Sequence, residues 1–323
     1  MTEFTEIPVL DVSALNGGSP AELAALADQF RDVYGNVGFG YISHHGIPQD
    51  LIDRVFSASQ RFHALPRDQK MQVELNHLHR GYIPINTSTD VNSKLADVKK
   101  PNQSESFMVM REDAPDQDTG AYLAGPNQWP DLDGFQADVM AYHDALCTLG
   151  QKLMHVAALA MGVDPRAVLP AFETPTTWLR LLYYPPTEPM AEADVFGSAP
   201  HTDFGCLTIL AQDDIGGLQV MTPSGNWVDA PRLPGTFVVN VGDMLHRWSN
   251  GRLLATPHRV INRSGKTRYS CPFFFDPNVS TDITPWPACV PAGESPAYAP
   301  VNFGEFLRSE LQAGYDKHKA DTV

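Results

Sequence analysis

The sequence predicts a mainly β protein with flanking helices, its core a jelly roll or barrel. Three observations point there. After Thr174 the chain turns into short strand-like segments, closely spaced and broken by Gly, Pro, Asn and Asp. Before that point, long segments carry apolar residues at helical spacing. The 27 prolines among 323 residues favour turns and irregular surface over continuous helix.

Taken in order, Ile7–Leu15 reads as a short strand. Ser19 then offers an N-cap, Pro20 suits the first helical position and Glu22 completes a capping box. Leu23, Leu26, Ala27, Phe30, Val33, Tyr34 and Val37 follow at helical spacing, which predicts an amphipathic helix over Pro20–Asn36. Gly38–Pro48 reads as a strand and turn, Pro48–Ala64 as a second helix and Pro66–Leu75 as a shorter third. Residues 76–130 are polar and weakly periodic. A long stretch of that kind inside a compact domain tends to carry function, and it is expected to cover the active site. Phe135–Met161 returns to the helical pattern, stopping at Gly162, and Asp164 with Pro165 starts a short helix.

Strands are then expected at Thr177–Pro185, Cys206–Gln212, Gly217–Met221, Thr236–Val241, His258–Asn262 and Thr267–Phe275. Asn250–Gly251 signals a hairpin, because both residues accept positive φ. A last helix is expected over Phe303–His318. There is no internal repeat and no low-complexity tract.

Composition narrows the function. The net charge of −15 repels nucleic-acid phosphates and anionic membranes, so neither is expected as a partner. Four cysteines without a CxxC pair suggest reduced thiols rather than a disulfide framework. The acidic N-terminus lacks a secretory pattern, and no apolar run reaches membrane-spanning length. A cytoplasmic protein, monomeric or a small homo-oligomer, is expected.

The chemistry starts at "PHTDFGCLTIL", Pro200–Leu210. On a strand, His201 and Asp203 share a face, with Gly205, Leu207 and Ile209 following. Burying two such groups unpaired costs several kcal/mol, so they need partners or a cation. His258 opens a later strand-like segment that a jelly roll can bring alongside. Two His and one carboxylate make the facial triad of non-haem Fe(II) oxygenases. Arg268 and Ser270, two apart on another strand, could clamp a carboxylate through contacts of roughly 1.5–3 kcal/mol each. Tyr184 ends a neighbouring strand and offers a phenol.

These segments, "HTDFGCLTIL", "QDDIGGLQV", "PGTFVVNVGDMLHRWSNGRLLATPHRVIN" and "RYSCPFFFDP", resemble the isopenicillin N synthase-like family of Fe(II)/2-oxoglutarate-dependent dioxygenases. "IPVLDVSAL" and "GFGYISHHGIP" resemble the N-terminal region of the same family. The resemblance covers nearly the whole chain and is weakest over 76–130 and 280–300. It implies a double-stranded β-helix, a distorted jelly roll, with helices outside. It divides the chain into residues 1–130, an N-terminal helix and strand region with a variable lid at 76–130, and residues 131–323, the long helix, jelly-roll core and C-terminal helix.

The resemblance further implies that His201, Asp203 and His258 hold Fe(II). Arg268 and Ser270, helped by Tyr184, would hold the distal carboxylate of 2-oxoglutarate. With O2, oxidative decarboxylation would give succinate, CO2 and an oxidant that attacks a C–H bond of a small-molecule substrate. Hydroxylation is the expected outcome, with desaturation and cyclisation as variants. The chain departs from many relatives at Leu182, where they carry Asn, and at His246, where they carry Gln. Two other readings stay open: a 2-oxoglutarate-independent Fe(II) oxidase on the same fold, and a catalytically silent metal-binding or sensor protein.

Other residues carry weaker signals. Arg180 shares a face with Leu182 and Tyr184 and could meet a substrate carboxylate. Phe274 lies on the Arg268 and Ser270 face, and Tyr82, Ile85 and Phe107 fall in the covering segment. All five are substrate-contact candidates. His44 and His45 read as turn residues, His77 and His79 as part of a polar lid, and His246 as a rival ligand inferior to His258. His143 and His155 read as helix-face residues, Trp227 and Trp248 as core, and Gln212–Gly217 as a solvated turn.

Overall fold

The structure is a computed structural model that describes residues 3–87, 100–112, 122–187 and 195–314. Before residue 135 the elements are β1 (Val9–Asp11), α1 (Pro20–Asn36), β2 (Phe39–Ser43), α2 (Gln49–His63), α3 (Arg67–Met71), β3 (Gly81–Ile83) and β4 (Glu105–Val109). Next come α4 (Phe135–Ala160), α5 (Pro165–Val168), β5 (Thr176–Tyr184), β6 (Ser198–His201), β7 (Leu207–Gln212), β8 (Leu218–Met221), β9 (Trp227–Asp229) and β10 (Thr236–Val241). The chain continues through α6 (Asp243–Trp248), β11 (His258–Val260), β12 (Arg268–Asp276), β13 (Asp282–Ile283), β14 (Val301–Asn302) and α7 (Phe303–Gly314).

Two sheets form the core. The larger has the order β1-β2-β10-β7-β12-β5-β4-β3 and the smaller β6-β11-β8-β9. They face each other across a cluster that takes Leu182, Tyr184 and Val238 from the larger sheet and Leu218, Val220 and Val260 from the smaller. The opposite face of the larger sheet buries Leu179, Leu181, Ile209, Phe273 and Phe275 against the long helix α4. Strand alternation therefore separates a helix-covered side from an inter-sheet side. The fold is the expected distorted jelly roll with outer helices.

Local signals explain the helices. Ser19 accepts from the backbone N–H of Glu22 and the Glu22 carboxylate accepts from Ser19, so the capping box forms and α1 starts at Pro20. Gly150 on α4 lies against the Phe275 ring, where a Cβ would come within 2.6 Å of the ring. The small residue lets α4 press onto β12.

Several expectations need correction. Asn250–Gly251 does not turn a hairpin. Both residues have positive φ (53° and 83°) and follow the end of α6, where Gly251 N–H donates to the His246 carbonyl. The dipeptide closes a helix, the other site where left-handed backbone is needed. Within the segment 76–130, expected as a cover, β3 and β4 extend the larger sheet. The last helix is described to Gly314, and the remainder of the expected span to His318 lies outside the described residues.

Candidate active site

His201 is the last residue of β6 and pairs directly with His258 of β11. Cross-strand neighbours place their side chains on one face, and the two imidazole centroids lie 4.3 Å apart. The expectation of a single strand carrying His201, Asp203, Leu207 and Ile209 on one face is not met. β6 stops at His201, residues 202–206 turn from the smaller sheet to the larger, and β7 starts at Leu207. Leu207 and Ile209 then point to the helix side. Asp203 sits in that crossing turn, buried between the two sheets.

The three side chains converge. The Nε2 atoms of His201 and His258 lie 3.5 and 3.6 Å from Asp203 Oδ1. One donor atom from each residue falls within 4.8 Å of the others. Nδ1 of His201 is 2.7 Å from the Ala199 carbonyl, and Nδ1 of His258 is 3.3 Å from that of Thr256. A carbonyl only accepts, so each Nδ1 carries a proton, and Nε2 is the atom each ring turns toward the Asp203 carboxylate and can offer to a cation. Asp203 Oδ2 accepts from Thr208 Oγ1 and, at 2.7 Å, from Asn240 Nδ2. Burial opposes ionisation of Asp203, yet His258, His201 and Asn240 hold its carboxyl well below the ordinary carboxylate range.

This donor set suits a divalent cation. Two imidazole nitrogens and one carboxylate oxygen on one side leave coordination positions open, the pattern of non-haem Fe(II) sites. The backbone carbonyls behind the imidazoles and the Asn240 and Thr208 donors behind the carboxylate orient the ligand atoms.

The candidate clamp lies further along the same inter-sheet side. Arg268, at the start of β12, is fully buried and pairs with Tyr184 at the end of β5. Its guanidinium sits 4.6 Å from the Tyr184 ring centroid. Nε donates to the Gly216 carbonyl (2.6 Å), one Nη to Ser270 Oγ (3.1 Å) and the other to Gln212 Oε1 (3.2 Å). Ser270 Oγ in turn reaches the Tyr184 hydroxyl at 3.5 Å. Every one of these partners is neutral, and among the described residues no carboxylate forms an ion pair with Arg268. A buried cation so arranged fits an incoming carboxylate.

Arg180 also projects to the inter-sheet side, flanked by Met108 on β4, and its Nε donates to Ser106 Oγ at 2.9 Å. Phe274 lies on the same side, two residues from Pro272 and next to Thr208 of β7. Ile85 is half-buried in the turn after β3. Tyr82 and Phe107 are placed otherwise. Both turn to the helix side: Phe107 packs against Phe62 and Phe135, and Tyr82 donates to Glu105. His246 bonds the Leu253 carbonyl and the Tyr298 hydroxyl, away from Asp203. Gln212–Gly217 is less solvated than expected, since Asp213 accepts from the Tyr269 backbone N–H and Gly216 from Arg268.

Three residues of this site carry a signal that was readable and missed. Thr208, Gln212 and Asn240 are polar positions inside otherwise apolar strands, "CLTILAQ" and "TFVVNV". Each bonds the candidate metal ligand or the candidate clamp.

Comparison with known proteins agrees with this geometry. The model of the 2OG-Fe(II) oxygenase superfamily matches residues 175–277, and that of the non-haem dioxygenase in morphine synthesis N-terminal region matches residues 7–132. The 2-oxoglutarate-Fe(II) type oxidoreductase hxnY of Emericella nidulans is 36% identical, over 98% of this chain and 92% of the relative. The homoarginine-6-hydroxylase 2-ODD-C23 of Glycine max is 32% identical over 88% and 89%. A full-length Neurospora crassa protein, solved in complex with alpha-KG and thymine, superposes with a TM-score of 0.86 at 30% identity, over 97% of this chain and 98% of that one. The chain belongs to the 2OG-Fe(II) oxygenase superfamily. It is an Fe(II)- and 2-oxoglutarate-dependent oxidoreductase that uses O2 as cosubstrate. No described helix is long and apolar enough to cross a membrane.

Proposed function

We propose that the protein hydroxylates a C–H bond of a small molecule, with His201, Asp203 and His258 holding Fe(II) and Arg268, Ser270 and Tyr184 holding the far carboxylate of 2-oxoglutarate. One observation carries this reading. Three convergent metal donors and a fully buried guanidinium whose hydrogen-bond partners are all neutral share one inter-sheet space. Bound there, Fe(II) with 2-oxoglutarate and O2 supplies the oxidising power for C–H cleavage, with succinate and CO2 as coproducts.

The chain's own groups do the rest. Thr208 and Asn240 fix the rotamer of Asp203, and the carbonyls of Ala199 and Thr256 fix the imidazole tautomers. Gln212, Ser270 and Gly216 spread the Arg268 guanidinium in one plane, so that it meets a carboxylate without first reorganising. The apolar Leu182, Leu218, Val220 and Val260 exclude water around it.

Arg180, Phe274 and Ile85 form the substrate side, so the substrate presents a carboxylate or carbonyl oxygen to Arg180. Support for hydroxylation of a small molecule comes from the hydroxylase relative and from the thymine complex. The four cysteines are free thiols, which suits a cytoplasmic enzyme. The test is succinate release across a panel of small carboxylates and cyclic amides, with product mass recorded. Stimulated succinate release with gain of one oxygen atom is expected, and its loss in Arg180→Ala. A product that only loses two hydrogens would replace hydroxylation with desaturation.

A further inference from the structure

The turn that carries Asp203 bridges the two sheets and has no regular strand pairing of its own. Its backbone is fastened from two directions. On one side α6 begins beneath it. Gly242 N–H donates to the Cys206 carbonyl (2.9 Å), Asp243 N–H to the Asp203 carbonyl (2.8 Å) and Met244 N–H to the Gly205 carbonyl (2.9 Å). On the other side stands a single side chain, Asp276, the last residue of β12. Its Oδ1 accepts from Cys206 N–H at 2.6 Å, and the Trp178 side chain lies close to the same carboxylate. The contact is close enough that a Cβ on Gly205 would fall 1.7 Å from Asp276 Oδ1.

Both ends of this bridge matter. Cys206 lies three residues after Asp203, at the end of the turn. Trp178 lies two residues before Arg180 on β5 and pairs directly with Phe274. A buried carboxylate is costly to keep, and a smaller apolar residue would fill the same corner without that cost. We infer that Asp276 is a positioning residue that ties the Asp203 turn to the substrate-side wall formed by Trp178, Arg180 and Phe274. This rests on the proposed role of Asp203 as an iron ligand. Asp276 acts through Cys206 and Trp178 and does not touch the metal donors.

The test is equilibrium Fe(II) binding without O2, measured on wild type, Asp276→Ala and Asp276→Asn, with melting of each metal-free protein recorded alongside. Asn keeps one acceptor for Cys206 N–H, so Asp276→Asn should stay within about threefold of wild type. Asp276→Ala should bind Fe(II) at least tenfold more weakly, while its 2-oxoglutarate affinity at saturating Fe(II) changes by less than threefold. Should Asp276→Ala not fold, Asp276→Ser, which is too short to reach Cys206, is measured in its place with the same expectation. A folded Asp276→Ala or Asp276→Ser with wild-type Fe(II) affinity would overturn the inference, since a merely structural role moves the melting temperature alone. Failure of wild type itself to bind Fe(II) would instead overturn the assignment of Asp203.

Discussion

Asn240 on β10 donates to Oδ2 of Asp203 at 2.7 Å, and Thr208 on β7 donates to the same oxygen. Oδ1 is thereby left turned toward His201 and His258. The relation predicts that Asn240→Ala weakens Fe(II) binding by about 10–100-fold, the usual cost of losing a group behind a ligand. Thr208→Val, which keeps shape and loses the hydroxyl, should fall in the same range. Fluorescence or calorimetric titration without O2 measures both. Unchanged affinity in both would mean that Asp203 is not oriented through Oδ2.

His201→Ala and His258→Ala each remove an imidazole from the convergent set. Both variants should lose Fe(II)-dependent succinate formation to background while keeping the fold by circular dichroism. His246→Ala should retain it, because His246 faces Leu253 and Tyr298 instead. Retained turnover in His258→Ala would move the third ligand elsewhere.

Arg268→Ala should raise the 2-oxoglutarate dissociation constant by about 10–100-fold, from the roughly 1.5–3 kcal/mol of a charge-assisted contact. Fe(II) affinity should change little, because the guanidinium bonds Gly216, Ser270 and Gln212 and not the metal donors. Arg268→Lys should restore only part of the loss, since an ammonium lacks the planar fork. Binding measured with and without Fe(II) separates the two effects.

On the helix side of the sheet, Glu105 accepts from Lys70 Nζ at 2.6 Å, from His63 Nδ1 at 3.0 Å and from Tyr82. Burial opposes its charge, but these three partners hold its carboxyl down at about 2, below the ordinary 4.5. A depressed carboxylate stabilises the fold above its unfolded value and loses that contribution as pH falls toward 2. Burial also lowers His63, so its protonation on acidification from about 6.5 adds to the loss. Stability should therefore fall between about pH 6.5 and 2, and Glu105→Gln should flatten the lower part of that limb. Chemical melts at stepped pH read this directly.

The helices and most strands were legible in the sequence because their signals are local. Ser19, Pro20 and Glu22 mark the start of α1 to the residue. The metal candidates were legible through residue type, and Arg268 with Ser270 through their spacing. What escaped depends on contacts between distant segments. β3 and β4 are short strands inside a polar stretch, stabilised by the pairing of β4 with β5 and of β3 with β4 rather than by their own pattern. Their alternation, invisible before the pairing is known, sends Tyr82 and Phe107 to the helix side. Glu105, Lys70 and His63 meet only in space, and Asp276 looks like an ordinary strand-end acid. Asn250–Gly251 carried a true signal for positive φ, which a helix end satisfies as well as a hairpin.

The central claim, that the convergent donors and Arg268 together hold Fe(II) and 2-oxoglutarate, is tested most directly by titrating metal-free protein with Fe(II) and then 2-oxoglutarate in the absence of O2. A weak visible charge-transfer band is expected on adding the keto acid to wild type. It should be absent in His201→Ala and should require far more 2-oxoglutarate in Arg268→Ala. Fe(II) binding without any band, or a band with unchanged 2-oxoglutarate dependence in Arg268→Ala, would contradict the assignment.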